Sequence, residues 1–180
     1  MIEPLTFNGP TDKNDGHWHG FYKRAYERLF ASLKDTHDSV LEVGTDSGFP
    51  LLAYRDWFSN AQVIGVDVNP SPQCLLGKTR LHHYKQDAYT HETISLLEQH
   101  GPFAVIIDDG SHFLHHQLFF AEHMSKLLSK DGIGAIEDIQ SYEHVPAIIG
   151  KLPKEFYGFA VDLRYADDRY DSLICVFARK

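Results

Sequence analysis

The chain alternates short apolar runs with stretches in which apolar residues recur at helical spacing. The runs predict strands at Ser39–Val43, Gln62–Val66, Leu81–Lys85, Phe103–Ile107 and Gly132–Ile136. The helical spacing predicts helices over Leu51–Ser59, Gln73–Lys78, Thr90–His100 and His112–Ser129, and a helix or irregular segment over Tyr142–Leu152. Such alternation is typical of a mostly parallel sheet covered by helices on both faces.

The two ends of the chain depart from this alternation. Residues 1–16 are rich in turn signals and predict an extended arm, and residues 17–34 predict an N-terminal helix before a core of residues 38–180. At the other end, Gly158–Leu163 and Leu173–Ala178 are strands joined by a polar turn at 166–169. The last strand should therefore be antiparallel. We expect one α/β domain over residues 1–180, with a Rossmann-like sheet of seven strands.

Composition narrows the class of protein. A chain of 180 residues, 43% hydrophobic and 23% charged, suits one ordinary globular domain. A formal charge of −8 without a basic stripe argues against a nucleic-acid partner. Cys74 and Cys175 are too few for a disulfide scaffold or a zinc site, which favours a cytoplasmic setting. Neither a signal peptide nor a membrane span is predicted.

Two apolar runs end abruptly in acidic residues. Asp108 and Asp109 follow Val105–Ile107, and Glu137 and Asp138 follow Ile136. Because parallel strands open into a crevice at their carboxyl ends, Asp109, Glu137 and Asp138 should converge there. Converging carboxylates repel one another unless a cation lies among them, and hard oxygen ligands favour magnesium, calcium or manganese. The alternative is that these acids only cap the following helices.

A histidine follows this first acidic pair. His112 lies three residues after Asp109, at the start of the predicted helix 112–129, and an imidazole accepts protons near neutral pH. We predict that His112 is a general base beside the metal. The pairs His82-His83 and His115-His116 are expected to be surface or core residues rather than ligands.

The first strand runs into a glycine turn. Gly44 follows Val43 and permits a sharp turn and a close approach to a ligand, and Asp67 ends the second strand. An acid at that point binds ribose hydroxyls in Rossmann-like folds. Asp46 stands where a dinucleotide fingerprint would have glycine, so a cationic nucleoside without phosphates fits better than NAD.

This combination resembles the class I S-adenosylmethionine-dependent methyltransferases. The resemblance implies that the first strand end and its glycine loop hold the methionine part of the cofactor, that Asp67 holds the ribose, and that residues after the third strand read the adenine. The positions concerned are Glu42, Gly44, Thr45, Asp67, Asp87, Ala88 and Tyr89. Asp108 either supports the metal ligands or contacts the cofactor amine.

A narrower resemblance is to the metal-dependent macrolide sugar O-methyltransferases of the mycinamicin type. It rests on Ile107–His112, on Ile136–Asp138, on Asp56-Trp57-Phe58, on the segment 17–26 and on the closing hairpin around Asp162-Leu163-Arg164 and Arg169-Tyr170-Asp171. It implies S-adenosylmethionine and Mg²⁺ as cofactors, with the metal on two adjacent hydroxyls of a sugar and a histidine removing the proton.

Three alternatives remain open at this point. One is a non-heme iron hydroxylase-like enzyme, which needs two histidines and one carboxylate on its metal. Another is a module that binds S-adenosylmethionine without turnover. The third is a small acceptor such as a catechol, which would use the same metal chemistry. A homo-oligomer is also left open, since residues 1–20 or a partner subunit would have to close the site.

Overall fold

The computed structural model describes residues 4–9, 11, 13, 21–167 and 169–180. The strands of this part are β1 (Ser39–Val43), β2 (Val63–Asp67), β3 (Leu81–Lys85), β4 (Phe103–Asp108), β5 (Leu128–Ile136), β6 (Phe156–Asp162) and β7 (Leu173–Arg179). Its helices are α1 (Phe21–Phe30), α2 (Phe49–Trp57), α3 (His91–Leu97), α4 (Leu114–His123), α5 (His144–Lys151) and α6 (Arg164–Asp167). Three-ten turns lie at Ala31–Leu33, Gln73–Leu75 and Met124–Leu127.

The strands form one seven-stranded sheet in the order β3-β2-β1-β4-β5-β7-β6. The pairs from β3 through β5 are parallel, whereas β7 is antiparallel to both β5 and β6. The predicted Rossmann-like sheet with an antiparallel last strand is confirmed. The order of the strands reverses between β1 and β4, and ligands of open α/β sheets bind beyond the carboxyl ends of the strands at this point.

The two faces of the sheet carry separate cores because successive side chains of a strand point to opposite sides. Leu41 and Ile106 pack on one face with Phe120 of α4. Val40 and Val105 pack on the other face with α1 and α2. Both β1 and β4 are buried along their whole length. Acidic residues at the carboxyl ends of these strands therefore lie at the edge of the apolar core.

The predicted arm is packed against this second core where it is described. Leu5 and Phe7 are buried, and the ring of Phe7 meets that of Tyr54 edge-on with centroids 5.6 Å apart. The backbone N–H of Leu5 donates to the carboxylate of Glu27 over 2.9 Å. Residues 4–9 are therefore held by burial and a hydrogen bond to α1.

The largest error of the sequence prediction concerns the helix expected at 112–129. The helix α4 starts at Leu114 and ends at His123, and Leu128 already pairs with Phe103 as the first residue of β5. The apolar spacing continues through Leu127 and Leu128, but parallel pairing with β4 decides their conformation. The hydroxyl of Ser125 also donates to the carbonyl of Ala121 over 2.7 Å, a local bond that favours ending a helix.

Two smaller differences lie near the ends of the chain. The N-terminal helix begins at Phe21 in the described residues and tightens into a three-ten turn after Phe30, while its predicted start at residues 17–20 lies outside them. The connection between β6 and β7 contains the one-turn helix α6 instead of a plain polar turn, and Asp168 lies outside the described residues. In the described part of the chain, no helix is long and apolar enough to cross a membrane.

Candidate active site

A cleft of about 350 Å³ opens at the point where the strand order reverses. This volume suits a nucleoside-sized ligand. The residues around it come from the ends of β1, β2 and β3, from the segments that follow them, from the loop after β4 and from the start of α4. They are Val43, Gly44, Asp46, Val66, Asp67, Val68, Asn69, Gln86, Asp87, Ala88, Tyr89, Asp109, Gly110, Ser111 and His116.

The glycine turn after β1 brings two loops into contact. Gly44 has a φ of 79°, a left-handed conformation that glycine adopts at little cost. A Cβ atom at this position would overlap the carbonyl oxygen of Asp109. Only glycine therefore allows the loop after β1 to lie directly against the loop after β4.

The carboxylate of Asp67 closes the cleft beside β2. Its Oδ2 atom accepts the backbone N–H groups of Thr45 and Asp46 over 2.8 and 3.2 Å, and its Oδ1 accepts that of Asn69 over 2.8 Å. Burial alone would raise the pKa of Asp67, but these N–H groups hold it below its ordinary value. Asp67 thus stays ionised and fixes the glycine loop.

Five of the eight predicted cofactor residues line this cleft, namely Gly44, Asp67, Asp87, Ala88 and Tyr89. The other three, Glu42, Thr45 and Asp108, do not border it and have other contacts. Glu42 is fully buried beside Lys13, and Thr45 contacts His83 through its hydroxyl over 2.9 Å. Asp108 is buried and accepts the hydroxyl of Tyr89 over 2.7 Å.

The ring of Tyr89 supports the loop after β4. Its hydroxyl accepts the backbone N–H of Ser111 over 3.2 Å while donating to Asp108. The loop passes so closely that a Cβ atom at Gly110 would overlap this hydroxyl. Tyr89 therefore connects the wall of the cleft to the segment that carries Asp109 and His112.

One member of the second histidine pair lines the cleft, a position that the sequence interpretation did not assign to it. The ring of His116 stacks on that of Tyr89 with centroids 4.0 Å apart, and its Nδ1 lies 2.6 Å from the hydroxyl of Ser111. His115 is exposed. His115 and His116 are consecutive residues of α4 and therefore point in different directions. The apolar periodicity of the sequence could not show which of them faces the cleft.

The acids at the tips of β4 and β5 meet beside this cleft. Ligand atoms of Asp109, His112 and Asp138 all lie within 4.8 Å of one another. The Nε2 atom of His112 is 3.4 Å from Oδ1 of Asp109, and its Nδ1 atom is 3.7 Å from Oδ2 of Asp138. This arrangement of two carboxylates and an imidazole can hold a divalent ion.

Backbone strain is concentrated at this site. His112 and Asp138 have φ values of 60° and 51°, and Asp46 in the cleft has 38°. Outside glycine, Asp and His tolerate this conformation better than most residues, yet it still costs free energy. His112 was predicted at the start of a helix, which is wrong. It lies two residues before α4, and its left-handed backbone directs the ring.

The third predicted metal ligand faces the interior. Glu137 is buried, and its carboxylate accepts the hydroxyl of Tyr26 and lies 3.6 Å from the ammonium of Lys13. Burial raises the pKa of Glu137 well above its ordinary value, and the charge of Asp109 adds to this effect. Glu137 therefore lies next to the group formed by Asp109, His112 and Asp138 but outside it.

Four side chains around the acids were not predicted as site residues. Tyr22 donates to Asp138 over 2.7 Å, Arg169 donates to its other oxygen over 3.2 Å, and Lys13 pairs with Asp109. Tyr22 and Tyr26 recur at helical spacing, which places both on the buried face of α1. Because a buried tyrosine hydroxyl usually needs a hydrogen-bond partner, this spacing could have indicated that they contact polar site residues. Nothing in the sequence singled out Lys13, a lone cation in a turn-rich arm.

Burial and neighbouring charges shift the pKa values of the side chains in the cluster. The hydrogen bond with Asp109 raises the pKa of His112, and burial opposes that effect. Burial would raise the pKa of Asp109, but Lys13 and His112 hold it below its ordinary value. Burial raises the pKa of Asp108 to about 7. Asp109 is thus ionised, whereas Asp108 is a buried acid that can keep its proton near neutral pH.

Comparison with known proteins identifies the class of this fold and site. The model of the methyltransferase domain family matches residues 15–170, which is most of the chain. The chain therefore belongs to the methyltransferase domain family. The strand order and the position of the cleft agree with the methyltransferase resemblance drawn from the glycine loop and the strand ends.

Two curated relatives are O-methyltransferases whose names give glycosylated substrates. The 8-demethyl-8-(2-methoxy-alpha-L-rhamnosyl)-tetracenomycin-C 3'-O-methyltransferase of Streptomyces olivaceus is 32% identical over 69% of this chain and 33% of its own length. The L-olivosyl-oleandolide 3-O-methyltransferase of Streptomyces antibioticus is 30% identical over 76% of this chain and 36% of its own length. The chain thus spans about a third of the length of these relatives.

A solved structure shows the same fold. The MycE methyltransferase from the mycinamycin biosynthetic pathway, in complex with Mg, SAH and mycinamycin VI, superposes with a TM-score of 0.61. The two chains are 25% identical, and the match covers 68% of this chain and 34% of that one. The sugar O-methyltransferase resemblance is confirmed at the level of family and fold.

Proposed function

We propose that this protein transfers the methyl group of S-adenosylmethionine to a hydroxyl of a sugar or similar small molecule, assisted by a divalent metal. One observation carries the proposal. Asp109 lines the nucleoside-sized cleft and also belongs to the group with His112 and Asp138 that can hold a cation. A cofactor in the cleft and an acceptor at the cation site would therefore be immediate neighbours.

The cleft fits a nucleoside with a cationic tail. Asp67 is ionised and presents the acid expected for ribose hydroxyls, and Asp87, Ala88 and Tyr89 form the wall assigned to the adenine. Asp46 also borders the cleft and would repel a pyrophosphate. Glu42 and Thr45 support this site from behind the cleft, through Lys13 and through Asp67.

The acidic cluster fits a hard divalent ion such as Mg²⁺. Asp109, Glu137 and Asp138 are the proposed ligands: Asp109 and Asp138 lie together beside His112, and Glu137, whose carboxylate now lies near Lys13, would have to turn toward the ion. When bound, such an ion lowers the pKa of an acceptor hydroxyl and orients it toward the methyl group. Two oxygens on one ion suit an acceptor with vicinal hydroxyls, in agreement with the sugar-modifying relatives.

The proton has a defined acceptor beside the cluster. His112 lies between the carboxylates of Asp109 and Asp138, half-buried, and its neutral ring would take the proton of the acceptor hydroxyl. The deprotonated oxygen would then form its bond to the methyl carbon of S-adenosylmethionine as the carbon–sulfur bond breaks. The products are the methyl ether and S-adenosylhomocysteine, and the proton remains on His112 until solvent removes it.

The composition of the cluster disfavours the iron-hydroxylase alternative. Such a site needs two histidines and one carboxylate, whereas the group found among the described residues has one histidine and two aspartates. His115 is exposed and stacks on Phe113, and His116 contacts Ser111.

A cytoplasmic setting is part of the proposal, since Cys74 and Cys175 are both free thiols.

A methyl-transfer assay tests the proposed function. The intact protein is incubated with methyl-labelled S-adenosylmethionine and a panel of vicinal-diol sugars and catechols, with Mg²⁺ or with a chelator. We expect label in at least one vicinal diol with Mg²⁺ and none with chelator, while the matched deoxy sugar stays unlabelled. Binding of S-adenosylhomocysteine without transfer to any diol or catechol would favour the binding-only module.

Asp67 provides a test of the cofactor assignment. Asp67→Ala should weaken S-adenosylmethionine binding by about 1–3 kcal/mol, the usual cost of losing a charged hydrogen bond, because the ribose and the glycine loop both lose their carboxylate. Calorimetry with S-adenosylmethionine and S-adenosylhomocysteine measures this loss. Asp56→Ala, at an exposed position on α2, is the control. Tight binding of NAD in place of S-adenosylmethionine would refute the assignment.

Tyr89 provides a separate test of the loop that carries Asp109 and His112. Tyr89→Phe keeps the stack on His116 but removes the hydroxyl that contacts Asp108 and Ser111. We expect cofactor affinity to stay within a few-fold and turnover to fall about ten- to a hundred-fold, because the loop loses its support. Equal losses in affinity and turnover would instead assign the hydroxyl to cofactor binding.

A further inference from the structure

His83 contacts the glycine loop from behind the cofactor cleft. It lies on β3, half-buried, and the Nε2 atom of its ring is 2.9 Å from the hydroxyl oxygen of Thr45. Thr45 is buried and directly follows Gly44, and its backbone N–H donates to Oδ2 of Asp67 over 2.8 Å. A single residue of the loop therefore joins His83 to the carboxylate assigned to the ribose.

A glycine in β2 makes this contact possible. Gly65 lies opposite His83 in the parallel pairing of β2 with β3, and β2 separates β3 from β1 and its loop. A Cβ atom at Gly65 would lie 2.9 Å from Cγ2 of Thr45 and 2.5 Å from a methyl group of Leu51, both closer than side chains pack, and 3.3 Å from the ring of His83. The side chains of His83 and Thr45 thus meet in space that any other residue at 65 would fill.

The proton between His83 and Thr45 has one favourable position. The Nδ1 atom of His83 is buried and has no hydrogen-bond partner in the described part of the chain. A proton on Nδ1 would leave a buried donor unpaired, whereas a proton on Nε2 is donated to the hydroxyl of Thr45. Burial lowers the pKa of His83, although the charge of Asp67 opposes this effect. The ring is therefore neutral at neutral pH and acts as a donor to Thr45.

The next link of the chain is from Thr45 to Asp67. Asp67 is ionised and can only accept, so the hydroxyl of Thr45, which receives a proton from His83, can direct its own proton toward Oδ2. That contact is long, at 3.5 Å, and the backbone N–H of Thr45 at 2.8 Å is the main link. Because His83 holds the side chain of Thr45, it fixes the residue whose N–H holds Asp67.

We propose that His83 is a positioning residue for the cofactor: through Thr45 it holds the glycine loop against Asp67 and keeps that carboxylate directed at the ribose. The inference rests on the binding of S-adenosylmethionine in the cleft, as proposed above. His83 does not border the cleft and acts without touching the cofactor.

The affinity for S-adenosylhomocysteine measures this role. His83→Leu has a side chain of similar size that cannot donate, and Thr45→Val removes the hydroxyl with little change in shape. Each variant should bind about three- to tenfold more weakly, the usual effect of one hydrogen bond. The double variant should lose no more than either single variant, because both changes remove the same contact. Calorimetry gives the affinities, and thermal unfolding shows that each variant is folded. His82→Leu, at an exposed position of β3, is the control.

Two further readouts separate positioning from a merely structural role. In the Asp67→Ala background, His83→Leu should weaken binding by less than about twofold, because the group that His83 positions is gone. His83→Gln brings an N–H donor close to the position of Nε2 and should restore the affinity to within about twofold of the wild type. A general loss of packing would weaken binding equally in both backgrounds, and glutamine would not reverse it.

The outcomes distinguish this inference from the proposed function. Unchanged affinity of His83→Leu, or equal losses with and without the carboxylate of Asp67, would overturn the positioning role and leave the methyltransferase assignment intact. If the wild-type protein binds no S-adenosylhomocysteine, the cofactor assignment and the role of His83 are both wrong.

Discussion

Asp109→Asn should abolish methyl transfer, with a loss of at least about a thousand-fold in turnover. The carboxylate of Asp109 belongs to the ion-binding group and pairs with Lys13, and Asp109 also lines the cofactor cleft. The amide keeps the shape of the side chain but supplies neither the charge for a divalent ion nor the pairing with Lys13. A labelled-methyl assay with an accepted sugar measures the loss.

The cofactor should still bind to Asp109→Asn, because the amide has nearly the same shape as the carboxylate and the other residues of the cleft are unchanged. Calorimetry with S-adenosylhomocysteine should give an affinity within a few-fold of the wild type. Asp131→Asn, at an exposed position of β5, controls for the loss of one negative charge. Chelation of the wild-type protein should reproduce the defect, and Mg²⁺ should reverse it. Full activity after complete chelation would make the carboxylates structural.

His112→Ala should lower turnover by about a hundred- to ten-thousand-fold, the usual loss on removing a positioned base. The ring lies between Asp109 and Asp138, within reach of a hydroxyl held by an ion at these carboxylates. Cofactor binding should be unchanged, since His112 is not part of the cleft wall. In the wild type, turnover should rise with pH, because only the neutral ring accepts a proton.

The matched control for this variant is His115→Ala, because His115 is exposed and three residues away. His116 cannot serve as a control, since it stacks on Tyr89 at the cleft. Mn²⁺ affinity separates two roles of His112. If His112→Ala loses the metal as well as turnover, His112 is a ligand. If turnover stays near normal, the metal alone activates the hydroxyl and the base assignment fails.

Much of the sheet was predictable because a central parallel strand is buried on both faces. The runs Ser39–Val43 and Phe103–Ile107 are strands within one residue of the expected bounds. Their carboxyl ends must then lie at one rim, which placed Gly44, Asp67 and Asp109 near each other without any knowledge of contacts. The antiparallel last strand followed from the spacing of two strands after the final helix.

Helix ends were less predictable because helical spacing does not mark where pairing begins. Leu127 and Leu128 continue the apolar pattern of α4, yet Leu128 belongs to β5. Pairing with β4 decides whether Leu128 is helical or extended, and that pairing forms only in the folded chain. The placement of His112 failed for the same reason, since its left-handed backbone is set by the loop that Tyr89 supports.

The sequence alone determined the sheet, the crevice at its rim, and the approach of Asp109 and Asp138, because these follow from strand order and from the ends of strands. Only the tertiary structure decided the inner side of the cluster. Lys13 and Tyr26 come from distant segments, and Glu137 faces them because a buried carboxylate needs a donor or a cation. Partners of this kind lie far apart along the chain, and local patterns carry no information about which of them will meet.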